Sequence, residues 1–209
     1  MFKSILVLEA PWDAATVKST SVWPFVSEFS RVVGLGAYYQ TFHGRSSFEH
    51  WIEQFNKDDV ASPRLLYVAA HGSSGRIQGL QREINGATIN EALRKAKKIS
   101  YVHFGSCLFG SQENLDTLLD TAKHLRWAAG YDQAVDWIDS MALDLMFWSR
   151  IGPRDKDDKA KKYLKTHTLA KGLIAEVPGL ARNLGFHLSY RWGKGRACLT
   201  SPSMALSAG

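Results

Sequence analysis

Short apolar runs and amphipathic stretches alternate along the chain. Residues 4–10, SILVLEA, form a nearly continuous apolar block, the pattern of a strand covered on both faces. Residues 37–42 (AYYQTF), 64–70 (RLLYVAA), 99–105 (ISYVHFG) and 126–131 (RWAAGY) read as further strands. A late strand is expected at 186–192 (FHLSYRW), and RIQGL at 76–80 suggests a short strand or hairpin. Helices are expected between them. One covers 24–33, with Pro24 tolerated in its first turn. Phe48, Trp51, Ile52 and Phe55 fall at i, i+3, i+4 and i+7 and make one apolar face. Thr88 and Glu91 form a capping box before a helix carrying Ile89, Ala92, Leu93 and Ala96. Leu115, Leu118, Leu119 and Ala122 share a face, as do Ile138, Met141, Ala142 and Leu145 within 136–150, and another helix is expected over 159–175. This order of elements predicts an α/β fold with a mostly parallel central sheet flanked by helices. There is no internal repeat and no low-complexity tract, and residues 201–209, SPSMALSAG, read as a loose tail.

At 209 residues the chain is expected to form a single domain, 1–209, with a substantial core. The net charge of +6 is mild, and the densest charged stretch, RDKDDKAKK at 154–162, mixes both signs. No recognition-helix or zinc-finger spacing accompanies it, which argues against a nucleic-acid partner. No apolar run reaches the roughly eighteen residues a membrane span needs. The first apolar block runs into Glu9 without a small-residue cleavage site, so it reads as a strand rather than a signal peptide. A cytoplasmic monomer with no membrane partner is the expectation. Two cysteines, Cys107 and Cys198, are too few for a disulfide framework.

In open α/β sheets, ligands bind at the carboxyl ends of the strands. Two reactive side chains sit just past such ends: His71 after LLYVAA, and Cys107 after ISYVHFGS. Parallel, neighbouring strands bring both to one rim. A free thiol, with a pKa of about 8.5, is mostly protonated at neutral pH. A histidine beside it can take that proton and later protonate a leaving amine. Gly72 lets backbone approach a substrate closely, so its N–H and that of Cys107 are candidate oxyanion donors. Either residue alone has a plainer explanation. Histidines at strand ends are commonly structural, and His43 in TFHGRSS is taken as one; single buried cysteines are commonly small core residues. The pair, one helix apart, is the stronger signal. His103 reads as a packed histidine facing away from Val102 and Phe104, and Cys198 in GRACLT as structural. GKGRAC at 193–198 fails the dinucleotide pattern, there is no P-loop, and no paired ligands suggest a metal.

YVAAHGSSG followed by ISYVHFGSCLFG resembles the caspase-like cysteine peptidases of clan CD, particularly the bacterial CHAT-domain branch. The matching positions are His71, Gly72, Cys107 and Gly110, and the resemblance spans about residues 64–150. It takes in GYDQAVDWIDS at 130–140, similar to the segment that helps form the substrate pocket in that family. Gly105-Ser106 departs from the commoner Ser-Ala or Gln-Ala, and Leu108 and Phe109 stand where polar residues are frequent. The resemblance implies a caspase-like three-layer sandwich and an endopeptidase with a Cys107–His71 dyad, needing no metal or other cofactor. It also implies a substrate-binding role for Asp136 and Asp132, with Asp139 nearby, in an acidic pocket selective for Arg or Lys. Asp136 equally suits an N-cap for the following helix. Kinship further suggests a protein or peptide substrate such as a gasdermin-like pore former, in antiphage defence or regulated cell death. The alternative is a non-catalytic caspase-like module that binds a peptide or protein. A class I amidotransferase-like enzyme fits poorly, because there the nucleophile precedes the histidine.

Overall fold

The computed structural model describes residues 2–12, 20–152, 165–192 and 195–201. The charged stretch 154–162, the first residues of the expected 159–175 helix, and the tail from 202 lie outside them. In chain order the elements are β1 (Ser4–Glu9), α1 (Trp23–Val33), β2 (Gly36–Thr41), α2 (Arg45–Lys57) and β3 (Arg64–Ala69). A small hairpin region follows, with β4 (Gly72–Ser73), β5 (Arg76–Gln78) and β6 (Glu83–Asn85). Then come α3 (Gly86–Lys95), β7 (Ile99–Phe104), α4 (Gln112–Thr121), β8 (Trp127–Tyr131) and α5 (Trp137–Ile151). The described chain ends with α6 (Thr166–Glu176), α7 (Pro178–Leu184), β9 (Phe186–Trp192) and β10 (Gly195–Thr200).

Seven strands form one sheet in the order β10-β9-β8-β7-β3-β1-β2. The five from β8 to β2 run parallel, because each connection between them carries a helix back across a face. β9 returns antiparallel to β8, and β10 pairs antiparallel with β9. β1 and β3 are buried at every residue, which explains their unbroken apolar runs. Alternation along the strands divides the core in two. Leu66, Val68, Val102 and Phe104 face Phe48, Ile52, Leu93 and Leu119 of α2, α3 and α4. Leu65, Tyr67, Tyr101 and Ala129 face Val26, Phe147, Trp148, Leu173 and Leu184 on the α1, α5, α6 and α7 side. The result is three layers, helices on sheet on helices.

His103 belongs to the second layer and is fully buried. Its Nδ1 accepts from Trp148 Nε1 at 3.0 Å, and its Nε2 lies 2.9 Å from Asp144 Oδ1. Tyr67 and Tyr131 donate to the same carboxylate. Burial, with the Asp144 carboxylate beside them, pushes both phenols well above their ordinary values. This network ties β3, β7 and β8 to α5 directly beneath the strand ends. Gly105 belongs to it as well: a Cβ there would stand 2.2 Å from the Tyr67 hydroxyl. The glycine at this position is therefore what lets Tyr67 reach Asp144.

Two expectations are corrected, and two elements go beyond them. The N-cap of α3 is Asn85, whose side chain accepts from the Thr88 N–H, so Thr88 lies within the helix and Glu91 pairs with Arg94 and Lys95 instead. GRACLT is a strand, β10, and α7 precedes β9; neither was anticipated. Ser201 is buried and hydrogen-bonded to the Phe186 carbonyl, so it is held at the sheet edge rather than loose. No helix among the described residues is long and apolar enough to cross a membrane.

Candidate active site

The carboxyl ends of β3 and β7, adjacent parallel strands, place His71 and Cys107 on one rim. The two loops touch. A Cβ on Gly72 would lie 2.3 Å from the Cys107 carbonyl oxygen and 3.1 Å from Ser106 Cβ. Only glycine lets these backbones come so near.

His71 is exposed, and its ring packs edge-on against Trp12 with centroids 5.0 Å apart. Its Nε2 lies 3.0 Å from the Trp12 carbonyl oxygen. A carbonyl can only accept, so a hydrogen bond here has Nε2 as its donor and leaves Nδ1 as the ring nitrogen able to accept. Trp12 is held by Glu9, the last residue of β1. This buried carboxylate accepts from Trp12 Nε1 (2.7 Å), Ser21 Oγ (2.5 Å) and the Val22 N–H (2.9 Å).

Cys107 is half-buried. Its sulfur accepts from the Val135 N–H at 3.4 Å and lies 4.0 Å from the Val135 carbonyl. Val135 immediately precedes Asp136, the N-cap of α5, so the donor sits just ahead of the positive end of that helix. Trp12 and Val135 both pack against the core on the α1/α5 side. The contacts of histidine and thiol thus lie on one face of the sheet. The loop is pinned behind the thiol: Leu108 N–H donates to Gln133, Gly110 N–H donates to Tyr131, and Leu108 takes a φ of 60°. That left-handed backbone in a branched residue stores on the order of 1–3 kcal/mol of strain. Gly110 crosses Gly130 so closely that a Cβ on it would stand 2.0 Å from the Tyr131 nitrogen.

The candidate oxyanion donors have suitable settings. Gln78 N–H bonds the His71 carbonyl, so the next rung, Gly72–Ile77, is the non-bonded one and the Gly72 N–H points out of the hairpin. Nothing among the described residues accepts from the Cys107 N–H.

The carboxylates have partners. Asp136 is exposed and caps α5, its Oδ1 accepting from the Ile138 and Asp139 N–H groups at 2.8 and 3.0 Å. Asp132 turns toward β9, where its Oδ2 lies 2.7 Å from His187 Nε2. His43 lies two residues past β2, at the sheet edge and three strands from β7, lining a shallow cleft with Arg45, Gln81 and Arg82. Sequence reasoning missed Trp12, Val135 and Leu108. Apart from the Trp12 ring against His71, their roles are carried by backbone atoms, which leave no side-chain signature. No group of three or more His, Cys, Asp or Glu residues suited to a metal occurs among the described residues.

No protein-family model matches the chain, and no curated protein sequence does. Solved structures match its fold. Caspase-1 from Spodoptera frugiperda superposes with a TM-score of 0.56 and 11% identity, over 96% of this chain and 87% of that one. A secreted C11 cysteine protease from Bacteroides thetaiotaomicron, solved with an irreversible peptide inhibitor, gives 0.54 and 10% identity. There the match covers 90% of this chain but 66% of that one. The protein has a caspase-like fold.

Proposed function

We propose that the protein is a cysteine endopeptidase in which Cys107 is the nucleophile and His71 the general base, of the CHAT-domain branch of caspase-like enzymes. The observation that carries this reading is the contact of Gly72 with the Cys107 carbonyl, which joins the two strand-end loops on one rim. The tautomer set by Trp12 leaves His71 Nδ1 to take the thiol proton. The thiolate attacks the scissile carbonyl, and the Gly72 and Cys107 N–H groups receive the oxyanion. His71 then protonates the leaving amine, giving a thioester that water hydrolyses with His71 again as base. Asp136 keeps Oδ2 clear of its capping bonds, and that oxygen, with Asp139 nearby, favours Arg or Lys before the scissile bond. A gasdermin-like substrate in a defence or cell-death response follows from the sequence resemblance.

The test is a peptide-library cleavage profile of the wild type beside Cys107→Ala and His71→Ala. Loss of cleavage by about 10³-fold or more is expected in both variants. Equal cleavage by wild type and Cys107→Ala would remove the nucleophile assignment, and no cleavage by the wild type would favour a caspase-like binding module.

A further inference from the structure

A second thiol lies in a line of polar groups at the far end of the same rim. Asp132 immediately follows β8, His187 is the second residue of β9 and Thr200 is the last of β10, so the sheet topology gathers three distant segments. Thr200 pairs directly with His187, and Cys198 with Ser189, which puts all four side chains on one face of the β9–β10 ribbon. Asp132 Oδ2 accepts from His187 Nε2 at 2.7 Å. His187 Nδ1 lies 3.1 Å from Thr200 Oγ1, and Thr200 Oγ1 lies 3.5 Å from Cys198 Sγ. With the ring protonated on both nitrogens, every bond points one way: Nε2–H to the carboxylate, Nδ1–H to the hydroxyl, and the hydroxyl proton to the sulfur. That arrangement fits a thiolate. The His187 side chain is only 6% exposed, so its charge is shielded from solvent, while Cys198 is half-buried on an edge strand.

We propose that Cys198 is a reactive thiol site for low-molecular-weight disulfides, activated through Thr200 and His187 and oriented by Asp132. The Cys198 thiolate attacks one sulfur of the disulfide; that S–S bond breaks, a mixed disulfide forms on Cys198, and the other half leaves as a thiolate that takes up one proton. The disulfide is the oxidant, and the balance is one thiol consumed and one released. The electrostatics agree in direction. Burial pushes the Cys198 thiol up, but the neighbouring His187, Thr200 and Ser189 side chains outweigh it and leave the thiol below its ordinary value. Burial likewise lowers His187, yet its bonds to Cys198 and Asp132 raise it overall. The site stands apart from the proposed peptidase chemistry and does not depend on it.

The chain has two cysteines, so Cys107→Ser leaves Cys198 as its single thiol. In that background, glutathione disulfide at neutral pH, followed by intact mass, measures adduct formation directly. One adduct is expected, formed about tenfold faster than on free cysteine under the same conditions. Thr200→Val and Asp132→Asn, each added to Cys107→Ser, are expected to slow it several-fold, and all three proteins should react alike in denaturant, where the relay is gone. A native rate no faster than free cysteine overturns the site, as does a rate indifferent to both relay variants. A difference that survives denaturation overturns the relay.

Discussion

At the scale of single residues, backbone approach decides more than side-chain chemistry. Gly72→Ala adds one methyl where the Cys107 carbonyl stands 2.3 Å away, and neither loop backbone is a flexible side-chain end that can move aside cheaply. The variant is expected to fold and to lose peptide cleavage by about tenfold or more, through kcat rather than KM, since displacing a catalytic group by about an ångström has that scale of cost. Steady-state kinetics on a cleaved peptide check this. Glycine after the histidine was plain in the sequence; that it is required by Cys107, and not by a turn, was visible only in space. His187 supplies a pH signature. Burial works against the charged ring, but Cys198 and Asp132 beside it together raise its affinity for a proton above the unfolded value of 6.5. A raised histidine contributes its full stability below the unfolded value and loses it as pH rises through the folded one. His187→Gln is therefore expected to cost more stability at pH 5 than at pH 9, measured as the shift in denaturant midpoint against wild type. An equal cost at both values would show that the ring is not charged in the folded protein.

At the scale of elements, α5 serves the site through its start and the core through its length. Asp136 takes two N–H groups at the helix N-terminus, so Asp136→Ala should lower stability by about 1 kcal/mol. Asp136→Asn retains the cap and removes the charge. Cleavage after Arg or Lys is expected to fall with Asn while the melting temperature stays put; unchanged selectivity would assign Asp136 to capping alone. Helical periodicity made α2, α4 and α5 legible, because each has an apolar face on a buried sheet. The start of α3 was misread because Thr88 and Glu91 satisfy a capping pattern that Asn85, three residues earlier, had already fulfilled. β10 was missed for a different reason. An edge strand with one polar face carries little apolar signal, and its place depends on pairing with β9.

At the scale of the molecule, the rim stands on the buried network of Asp144, His103, Trp148, Tyr67 and Tyr131, which locks α5 under the parallel strands. Tyr67→Phe removes the 2.7 Å donor to Asp144 Oδ2 in a fully buried setting. The expected cost is about 1–3 kcal/mol of unfolding free energy, the usual penalty for a buried acceptor left short of its partner. Equilibrium urea unfolding measures it; a neutral result would mean that another donor replaces the phenol.

The sequence by itself determined the alternation of strands and helices, the burial of the central sheet, and the two strand ends carrying His71 and Cys107, because hydrophobic periodicity is a local property. Tertiary structure alone decided which atoms serve them. The Trp12 carbonyl, the Val135 N–H and the loop contact at Gly72 come from segments far apart in the chain, through backbone groups common to every residue type. The same holds for Cys198, which reads as an isolated thiol until antiparallel pairing sets Thr200 and His187 beside it and the end of β8 brings Asp132 into line.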